Sequence, residues 1–204
     1  MARLHHFWNS GNSYKIRLLL SELGRAYDSA ALDRANRAQK EPAFLAVNPR
    51  GQVPAWEEAP DRVLTESAAI LFYLAHGTPL LPSDPWLQSQ VVSWLLYEQQ
   101  HLCNQGVGMA HYWTFVTGQG ETKKAEVEAA REKSRAEFVY LEKHLQRRDW
   151  FVGDSFTVAD IAIYGYTHRA PIAGIALDPY PNVMAWMARA RARPRHIRFE
   201  DKST

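Results

Sequence analysis

Two short motifs carry residues whose types and spacing suit the binding of a small peptide. In the heptapeptide Asn48–Pro54, Val53 precedes a proline at the entry to a predicted hairpin. Such a pair can leave the N–H and C=O of Val53 unpaired, ready to hold an extended peptide as an added strand. In the second motif, Glu66 and Ser67 lie where a strand becomes a helix; free N–H groups there favour a carboxylate, and Ser67 can cap the helix. The two motifs together predict a small acidic peptide as the ligand.

In this order and at this separation, the motifs are similar to the Asn-Pro-x-Gly-x-Val-Pro and Glu-Ser signatures of the cytosolic glutathione S-transferases. The resemblance extends from about Leu4 to Arg193 and points to bacterial, serine-type members of the theta-, zeta- or nu-like classes. It implies an N-terminal thioredoxin-like α/β domain followed by a C-terminal all-helical domain. It also implies glutathione as co-substrate and a homodimer.

Residues 8–15, which leave the first strand and enter the first helix, carry the candidates for catalysis. A thiol with an ordinary pKa is only a few per cent thiolate at neutral pH, so an enzyme that uses glutathione as a nucleophile must lower that pKa. Hydrogen bonds to sulfur and the positive end of a helix can do so. By resemblance, Ser10 falls on the family's catalytic serine. Asn12 falls where some bacterial disulfide reductases or peroxidases use an asparagine, and Ser13 is equally well placed to cap the helix.

The resemblance also assigns most parts of glutathione to residues. Ser67 with its N–H would take the γ-glutamyl carboxylate, and Glu66 the ammonium. Val53 and Pro54 would hold the cysteinyl moiety, and Gln52 would support one end of the tripeptide.

The glycyl carboxylate has a neutral residue at the position where the family often places a cation. The family often places a histidine or lysine in the loop before the second helix, and this position falls on Gln39, with Lys40 beside it. A neutral amide bonds a carboxylate about half as strongly as a cation does. We therefore expect Lys40 to compensate or the affinity for glutathione to be modest.

A pocket for the second substrate is expected between the domains, beside Ser10 and under the first long helix. Apolar and aromatic walls suit a hydrophobic electrophile, although an aromatic stripe on a helix is usually core. The predicted lining comprises Met109, His111, Tyr112, Trp113, Phe115 and Tyr164, with His168 as a further candidate.

The elements that position these residues follow from apolar periodicity and from breakers. Residues 1–77 predict the order β-α-β-α-β-β-α of a thioredoxin-like domain, and residues 78–86, rich in glycine and proline, predict a linker. Residues 87–204 predict an all-helical domain that begins with a long helical segment, Trp86–Thr117. Thr157 and Asp160 have the spacing of a capping box, with Phe156 and Ile161 placed as a hydrophobic staple.

Composition limits the remaining classes of function. The 204 residues are 46% hydrophobic with a net charge of +2, which is ordinary for a globular protein and does not favour nucleic acid as a partner. The sequence shows no signal peptide, membrane span or metal-ligand spacing. A single cysteine, Cys103, excludes an intramolecular disulfide, so a reduced, cytoplasmic setting is expected.

The leading hypothesis is a glutathione transferase that adds the thiolate to a hydrophobic electrophile. Glutathione-dependent disulfide reduction, peroxide reduction and isomerisation are alternatives within the same class. The zeta-type isomerases carry a Ser-Cys pair where this chain has Gly11 and Asn12. A non-catalytic binding module of the same fold is the rival from another class.

Overall fold

The computed structural model describes residues 1–202, which form two compact units. The first unit combines residues 1–76 with residues 194–202, and the second comprises residues 77–193. We call residues 194–202 the return segment. The predicted boundaries assign this segment to a helical domain 87–204, whereas the structure groups it with the first unit; residues 203 and 204 of that prediction lie outside the described residues.

A four-stranded mixed sheet in the order β2-β1-β3-β4 forms the centre of the first unit. The central strand β1 pairs parallel with β2 and antiparallel with β3, which pairs antiparallel with β4. The strands are β1 Arg3–His6, β2 Asp28–Ala31, β3 Ala55–Ala59 and β4 Arg62–Thr65. The predicted thioredoxin-like order is confirmed.

Three α-helices accompany the sheet: α1 Gly11–Leu23, α2 Pro42–Val47, which follows a 3₁₀ turn at Ala38–Lys40, and α3 Ser67–Ala75. Helix α1 ends at Gly24, whose φ of 60° is in the left-handed region that glycine adopts without strain. Helices α1 and α3 pack together and bury Leu19, Leu20, Ile70 and Leu71 completely. Each such side chain contributes roughly 1.5–3 kcal/mol by its removal from water, so this packing stabilises both helices.

The second unit is helical, with α4 Pro85–Tyr97, α5 Val107–His111, α6 Lys124–Leu145, α7 Val158–Thr167 and α8 Pro181–Arg191. The expectation of one long helical segment over Trp86–Thr117 is wrong. π-helical turns follow α4 at Glu98–Cys103 and α5 at Tyr112–Val116, and residues 104–106 separate the two stretches. At Gly106 the chain turns so closely that a Cβ would lie 2.6 Å from the carbonyl oxygen of His101. Glycine therefore permits the break.

The predicted capping box of α7 is confirmed. Asp160 is completely buried and accepts hydrogen bonds from the N–H groups of Thr157 and Phe151, the Thr157 hydroxyl and the Trp186 indole N–H. Burial raises the pKa of Asp160 to about 6, while these hydrogen bonds favour its charged form. All of its contacts are internal to the second unit, which gives it a structural role.

Part of the predicted linker also packs on the second unit. Leu80 and Leu81 are buried, and the Leu80 carbonyl accepts a hydrogen bond from the Val158 N–H at 2.9 Å. None of the helices within residues 1–202 is long and apolar enough to cross a membrane.

Candidate functional site

Ser10 is the N-cap of α1. Its Oγ accepts a hydrogen bond from the Ser13 N–H at 3.2 Å, and the Ser13 Oγ accepts one from the Phe7 N–H at 3.4 Å. Ser10 therefore fills the cap for which Ser13 was considered. A hydroxyl that accepts through its oxygen keeps its own proton to donate. The cap fixes the position of Ser10 and leaves that proton for a ligand.

Asn12, in the first turn of α1, lies against the start of α3. The buried Ser67 donates a hydrogen bond from Oγ to Asn12 Oδ1 at 3.3 Å. The first intrahelical bond of α3 runs from the Ile70 N–H to the Glu66 carbonyl, so the N–H groups of residues 67–69 have no partner within the helix. The structure thus brings two helix N-termini together, and both favour an anion.

Glu66 has an unusual backbone conformation at the turn from β4 into α3. Its φ of 68° and ψ of 116° lie in a region that costs a non-glycine residue on the order of 1–3 kcal/mol. Its exposed carboxylate does not cap α3 and instead pairs with the guanidinium of Arg50 at 3.1 Å. Strain of this kind clusters at ligand sites. The turn presents a carboxylate side by side with N–H groups that have no partner within the helix.

The backbone at Val53 is open, as the motif predicts. The Val53–Pro54 peptide bond is cis, and strand β3 begins only at Ala55, which pairs with His5 and Thr65. Within residues 1–202, neither the N–H nor the C=O of Val53 has a hydrogen-bond partner. An extended peptide could use both groups.

The turn before Val53 is held by Asn48. Its side-chain amide donates to the Gln52 carbonyl at 2.7 Å, and its Oδ1 accepts from the Arg50 N–H at 3.1 Å. Gly51 has a φ of 60°, which glycine adopts readily. The side chain of Gln52 is exposed and available to a ligand.

Gln39 and Lys40, the candidates for the glycyl carboxylate, lie next to this turn. The Lys40 ammonium donates to the Arg50 carbonyl at 3.2 Å, and a Cβ on Gly51 would lie 2.7 Å from the Gln39 carbonyl oxygen. The Gln39 Oε1 is buried without a hydrogen-bond partner in the described part of the chain. The structure therefore places both residues beside the turn at residues 48–52.

The residues proposed for the electrophile lie on three elements of the second unit. Met109 and His111 are on α5, while Tyr112, Trp113 and Phe115 are on the π-helical turn that follows, and Tyr164 is on α7. His111 stacks on Phe115 at 5.5 Å, and its Nε2 lies 3.0 Å from the Arg169 guanidinium. Tyr112 and Phe115 are 40% and 55% exposed, so they are not simple core residues.

A second group surrounds His168, directly after α7. Its ring stacks on Tyr164 at 5.2 Å, and the Tyr164 hydroxyl accepts a hydrogen bond from Arg191 at 3.0 Å. Burial, with smaller effects of the charges on Arg169 and Arg191, lowers the pKa of His168 to about 3. His168 is therefore neutral at neutral pH. No group of three or more His, Cys, Asp or Glu side chains within residues 1–202 is arranged to hold a metal ion.

Comparison with protein families agrees with this geometry. Residues 2–76 match the model of the glutathione S-transferase N-terminal domain, and residues 92–194 match that of the C-terminal domain. The chain belongs to the glutathione S-transferase family. Its subclass, predicted as serine-type and theta-, zeta- or nu-like, stays a prediction.

Similar members of the family include two Escherichia coli K12 proteins. Glutathione S-transferase GstB is 32% identical over 190 residues, which cover 91% of each chain. The disulfide-bond oxidoreductase YfcG is 29% identical over 196 residues, covering 93% of this chain and 90% of YfcG. The relatives therefore carry more than one activity.

Two solved structures share the fold over nearly the whole chain. A possible glutathione S-transferase from Rhodopseudomonas palustris superimposes with a TM-score of 0.95 at 37% identity, covering 100% of this chain and 91% of that one. Ure2p in complex with glutathione superimposes with a TM-score of 0.86 at 27% identity, covering 98% and 93%. A glutathione-binding protein thus has the same fold as this transferase-family chain.

Three arginines that contact the candidate site residues were not predicted from the sequence: Arg50, Arg169 and Arg191. Arg50 lies inside the first motif, and its pairing with Glu66 could have been proposed from that position. Arg169 and Arg191 contact His111 and Tyr164 only through tertiary packing. No local pattern marks them.

Proposed function

We propose that this protein binds glutathione, stabilises its thiolate and transfers it to a hydrophobic electrophile. The observation that carries the proposal is the meeting of the α1 and α3 N-termini at Asn12 and Ser67, together with the backbone N–H and C=O of Val53, which have no partner within residues 1–202. The fold shared with the Ure2p–glutathione complex supports it.

Each part of glutathione has a chemically matched partner in this proposal. The N–H and hydroxyl of Ser67 take the γ-glutamyl carboxylate, and Glu66, next to it, takes the ammonium. Val53 and the cis Pro54 hold the cysteinyl backbone, and Gln52 contacts one end of the tripeptide. Gln39 and Lys40 take the glycyl carboxylate. Lys40 can do so because its ammonium has three donors and the Arg50 carbonyl occupies only one.

Ser10 is the proposed catalytic residue. Lowering a thiol pKa from about 8.5 by roughly two units requires the site to prefer the thiolate by about 2.7 kcal/mol. One hydrogen bond to a charged group contributes roughly 1.5–3 kcal/mol, which is of the required size. The α1 N-terminus adds a smaller favourable field. The thiolate then attacks the electrophilic carbon, and the leaving group departs with the electron pair of the broken bond.

The electrophile is proposed to contact Met109, Tyr112, Trp113 and Phe115. The exposed rings of Tyr112 and Phe115 offer apolar surface to a hydrophobic substrate. His111 and Tyr164, each bonded to an arginine, would orient a polar substituent.

Reduction of a glutathione mixed disulfide is the second candidate. The contact between Asn12 and Ser67 favours it, because an asparagine at this position resembles the reductase pattern, and YfcG is named a disulfide-bond oxidoreductase. In this reaction the bound thiolate attacks one sulfur, a new S–S bond forms, and the other sulfur leaves as a thiolate. Isomerisation and non-catalytic binding have weaker support.

The proposal includes a two-fold dimer. Helices α4 and α6 expose large apolar side chains, namely Trp86, Val92, Leu96, Val139 and Tyr140. A second copy of the chain would cover such surface, and closed two-fold dimers are the commonest assembly. Sedimentation at micromolar concentration should show a dimer, and Leu96→Glu should weaken it. A wild-type monomer would contradict this part of the proposal.

Calorimetry and an activity panel test the function. Glutathione should bind the wild type, and conversion of an aryl halide or an epoxide should exceed that of hydroxyethyl disulfide. A preference for the disulfide would select the second candidate, and an organic peroxide in the same panel tests peroxidase activity. Absence of glutathione binding would reject both enzymatic proposals. A cytoplasmic location stays a prediction, which cell fractionation can test.

A further inference from the structure

A buried arginine connects α1 to the return segment. Arg17 is only 1% exposed, and its guanidinium donates to three backbone carbonyls: Asp201 at 2.7 Å, Phe199 at 3.0 Å and Trp8 at 3.4 Å. No side-chain carboxylate within residues 1–202 makes a hydrogen bond to it, and its Nε has no hydrogen-bond partner there. Burying a charge away from water is costly, so the contacts of the guanidinium must fit closely.

Two aromatic rings complete the environment of the guanidinium. It lies 4.8 Å from the ring centroid of Trp8 and 5.6 Å from that of Tyr14, within the range of cation–π attraction. Tyr14 also donates its hydroxyl to the Ile197 carbonyl at 2.7 Å and packs edge-on against Phe199. The return segment is thus tied to α1 by hydrogen bonds and by ring packing.

Further contacts extend the attachment along α1. The Ser21 hydroxyl donates to the Arg195 carbonyl at 2.8 Å, near the end of the helix. Within the segment, the Arg198 N–H and guanidinium bond to the Asp201 carboxylate and close a turn. That turn presents the carbonyls of Phe199 and Asp201 to Arg17.

The contact with Trp8 links this attachment to the candidate thiolate site. Trp8 precedes Ser10 by two residues, and the Ser10 N–H donates to the Phe7 carbonyl at 3.3 Å. The orientation of Ser10 therefore depends on the path of residues 7–10. One terminal nitrogen of the Arg17 guanidinium donates both to the Trp8 carbonyl on that path and to the Phe199 carbonyl, and the other donates to the Asp201 carbonyl in the return segment.

We propose that Arg17 is a positioning residue for the thiolate site, and that it sets the backbone before Ser10 through the carbonyls of Trp8 and of the return segment. The inference rests on the proposed function, because it concerns the placement of the Ser10 hydroxyl against the thiolate of glutathione. Displacements of a fraction of an ångström matter to such a bond, since hydrogen bonds weaken steeply with poor geometry.

The ionisable groups around Arg17 are His6 on β1, Tyr14 and Tyr27, and Glu200 and Asp201 in the return segment. Burial lowers the pKa of Arg17, but an arginine still keeps its charge at neutral pH. The guanidinium itself does not lose its proton in the pH range over which the rate is measured. A change in the pH–rate profile of an Arg17 variant would therefore report on the thiol.

The test compares Arg17→Met and Arg17→Lys with Arg131→Met. Arg131 makes a guanidinium-to-carbonyl bond of the same kind, to Ala173 at 2.8 Å in the second unit, and so controls for general loss of stability. Glutathione binding is measured by calorimetry, and the pKa of the bound thiol by the ultraviolet absorbance of the thiolate.

Arg17→Met should raise the pKa of the bound thiol by about one unit, from about 6.5 to about 7.5, and so lower kcat about threefold at pH 7, with less than about a threefold change in glutathione affinity. Arg17→Lys should restore part of the shift, since a lysine keeps the charge and some donors. Arg131→Met should leave the thiol pKa unchanged.

If Arg17→Met proves unfolded, Tyr14→Phe tests the inference in its place. This substitution removes one hydrogen bond to the return segment and keeps the aromatic ring. We expect it to raise the pKa of the bound thiol by less than Arg17→Met would. An unchanged thiol pKa in the folded Arg17 variant, or in Tyr14→Phe where the former is unfolded, would overturn the inference and leave glutathione binding intact. Failure of the wild type to bind glutathione would instead overturn the proposed function and this inference with it.

Discussion

Two carboxylates beside helix N-termini have different environments in the two units. Asp160 in α7 is completely buried and accepts four hydrogen bonds from its own unit. Glu66, before α3, is exposed, makes no side-chain cap and, within residues 1–202, pairs only with Arg50. A carboxylate whose acceptor sites are filled by the fold stabilises that fold. One left open at a strained turn is available to a ligand.

The serines and threonines at these helix starts show the same contrast. The Thr157 hydroxyl is buried and takes part in the capping box with Asp160. Ser10 caps α1 through its oxygen alone, and Ser67 contacts Asn12 rather than its own helix. Similar residue types therefore serve stability in the second unit and, in our proposal, ligand binding in the first. The comparison can be tested by equivalent substitutions in both units.

Removing Asp160 should have the largest effect. Asp160→Ala leaves four buried donors without their acceptor, and we expect a loss of about 3–5 kcal/mol in the free energy of unfolding, as for a broken buried charge network. Urea denaturation measures it. Glu66→Gln should change stability by less than about 0.5 kcal/mol, because surface substitutions rarely do more, yet it should weaken glutathione binding. Equal losses of stability at the two positions would contradict the comparison.

Acid should destabilise the protein through histidines in both units. Burial, with the charge of Arg17, lowers the pKa of His6 to about 4, and burial lowers that of His168 to about 3, from 6.5 when unfolded. Their stabilisation is complete above pH 6.5 and is lost as the pH falls towards these values. The pKa of Asp160 is raised to about 6 from 3.8, so the folded protein gains stability from this group as the pH falls from 6 to 4. This gain offsets part of the loss from the histidines.

Urea denaturation at a series of pH values checks this balance. Each unit of pKa shift corresponds to about 1.4 kcal/mol, so His6 contributes on the order of 3 kcal/mol at its limit. We expect wild-type stability to decline from pH 7 to pH 4.5 and His6→Asn to flatten the decline. The same slope in His6→Asn and in the wild type would show that His6 is not buried in its neutral form.

Substitution of Ser10 separates the two candidates for thiolate stabilisation. Ser10→Ala should raise the pKa of the bound thiol and lower the rate about ten- to a hundredfold, with little change in glutathione affinity. It should also cost about 1 kcal/mol of stability through the lost cap. Asn12→Ala is the matched control in the same turn.

The pH–rate profiles of both variants decide between the assignments. If Asn12→Ala shifts the pKa of the bound thiol strongly and Ser10→Ala shifts it only slightly, Asn12 and not Ser10 stabilises the thiolate. Similar shifts of the thiol pKa in both variants would mean that both residues and the N-terminus of α1 together stabilise the thiolate. No shift in either variant would remove the catalytic assignment and leave the helix field as the sole activator.

Removing the Ser67 side chain should have the smallest effect of the four. Ser67→Ala should weaken glutathione binding by about 1 kcal/mol or more, as for a lost hydrogen bond to a charged group. Ser134→Ala is the control, because Ser134 is an equally buried serine whose hydroxyl donates to the Ala130 carbonyl within α6. Calorimetry should show normal binding in the control; weakened binding there would mean that the effect of Ser67→Ala is not local.

Local patterns predicted the parts of the fold that depend on neighbouring residues. The thioredoxin-like order follows from short apolar runs and the glycines that end them, and the capping box follows from the spacing of Thr157 and Asp160. The break at residues 104–106 was missed, although Gly106 lies there, because the apolar periodicity continues across it. Periodicity reports the buried face of a helix and does not report its continuity.

Long-range contacts could not be predicted in this way. The motifs located Glu66 and Ser67, but the bond from Ser67 to Asn12 spans 55 residues. The contacts of Arg17 with the return segment span more than 180 residues. An arginine in an apolar helix gives no sign of its partners, since any set of carbonyls would satisfy it equally well.

The return segment imposes an order on biosynthesis. Residues 1–76 leave the ribosome first, but residues 194–202, which complete their unit, are made only after the whole second unit has been translated. At 5–20 residues per second, the nascent first unit waits roughly ten seconds for its last piece. During that interval the Arg17 guanidinium lacks the carbonyls of Phe199 and Asp201. The nascent chain can therefore build the sheet early, while the surroundings of Ser10 reach their final form only near the end of translation.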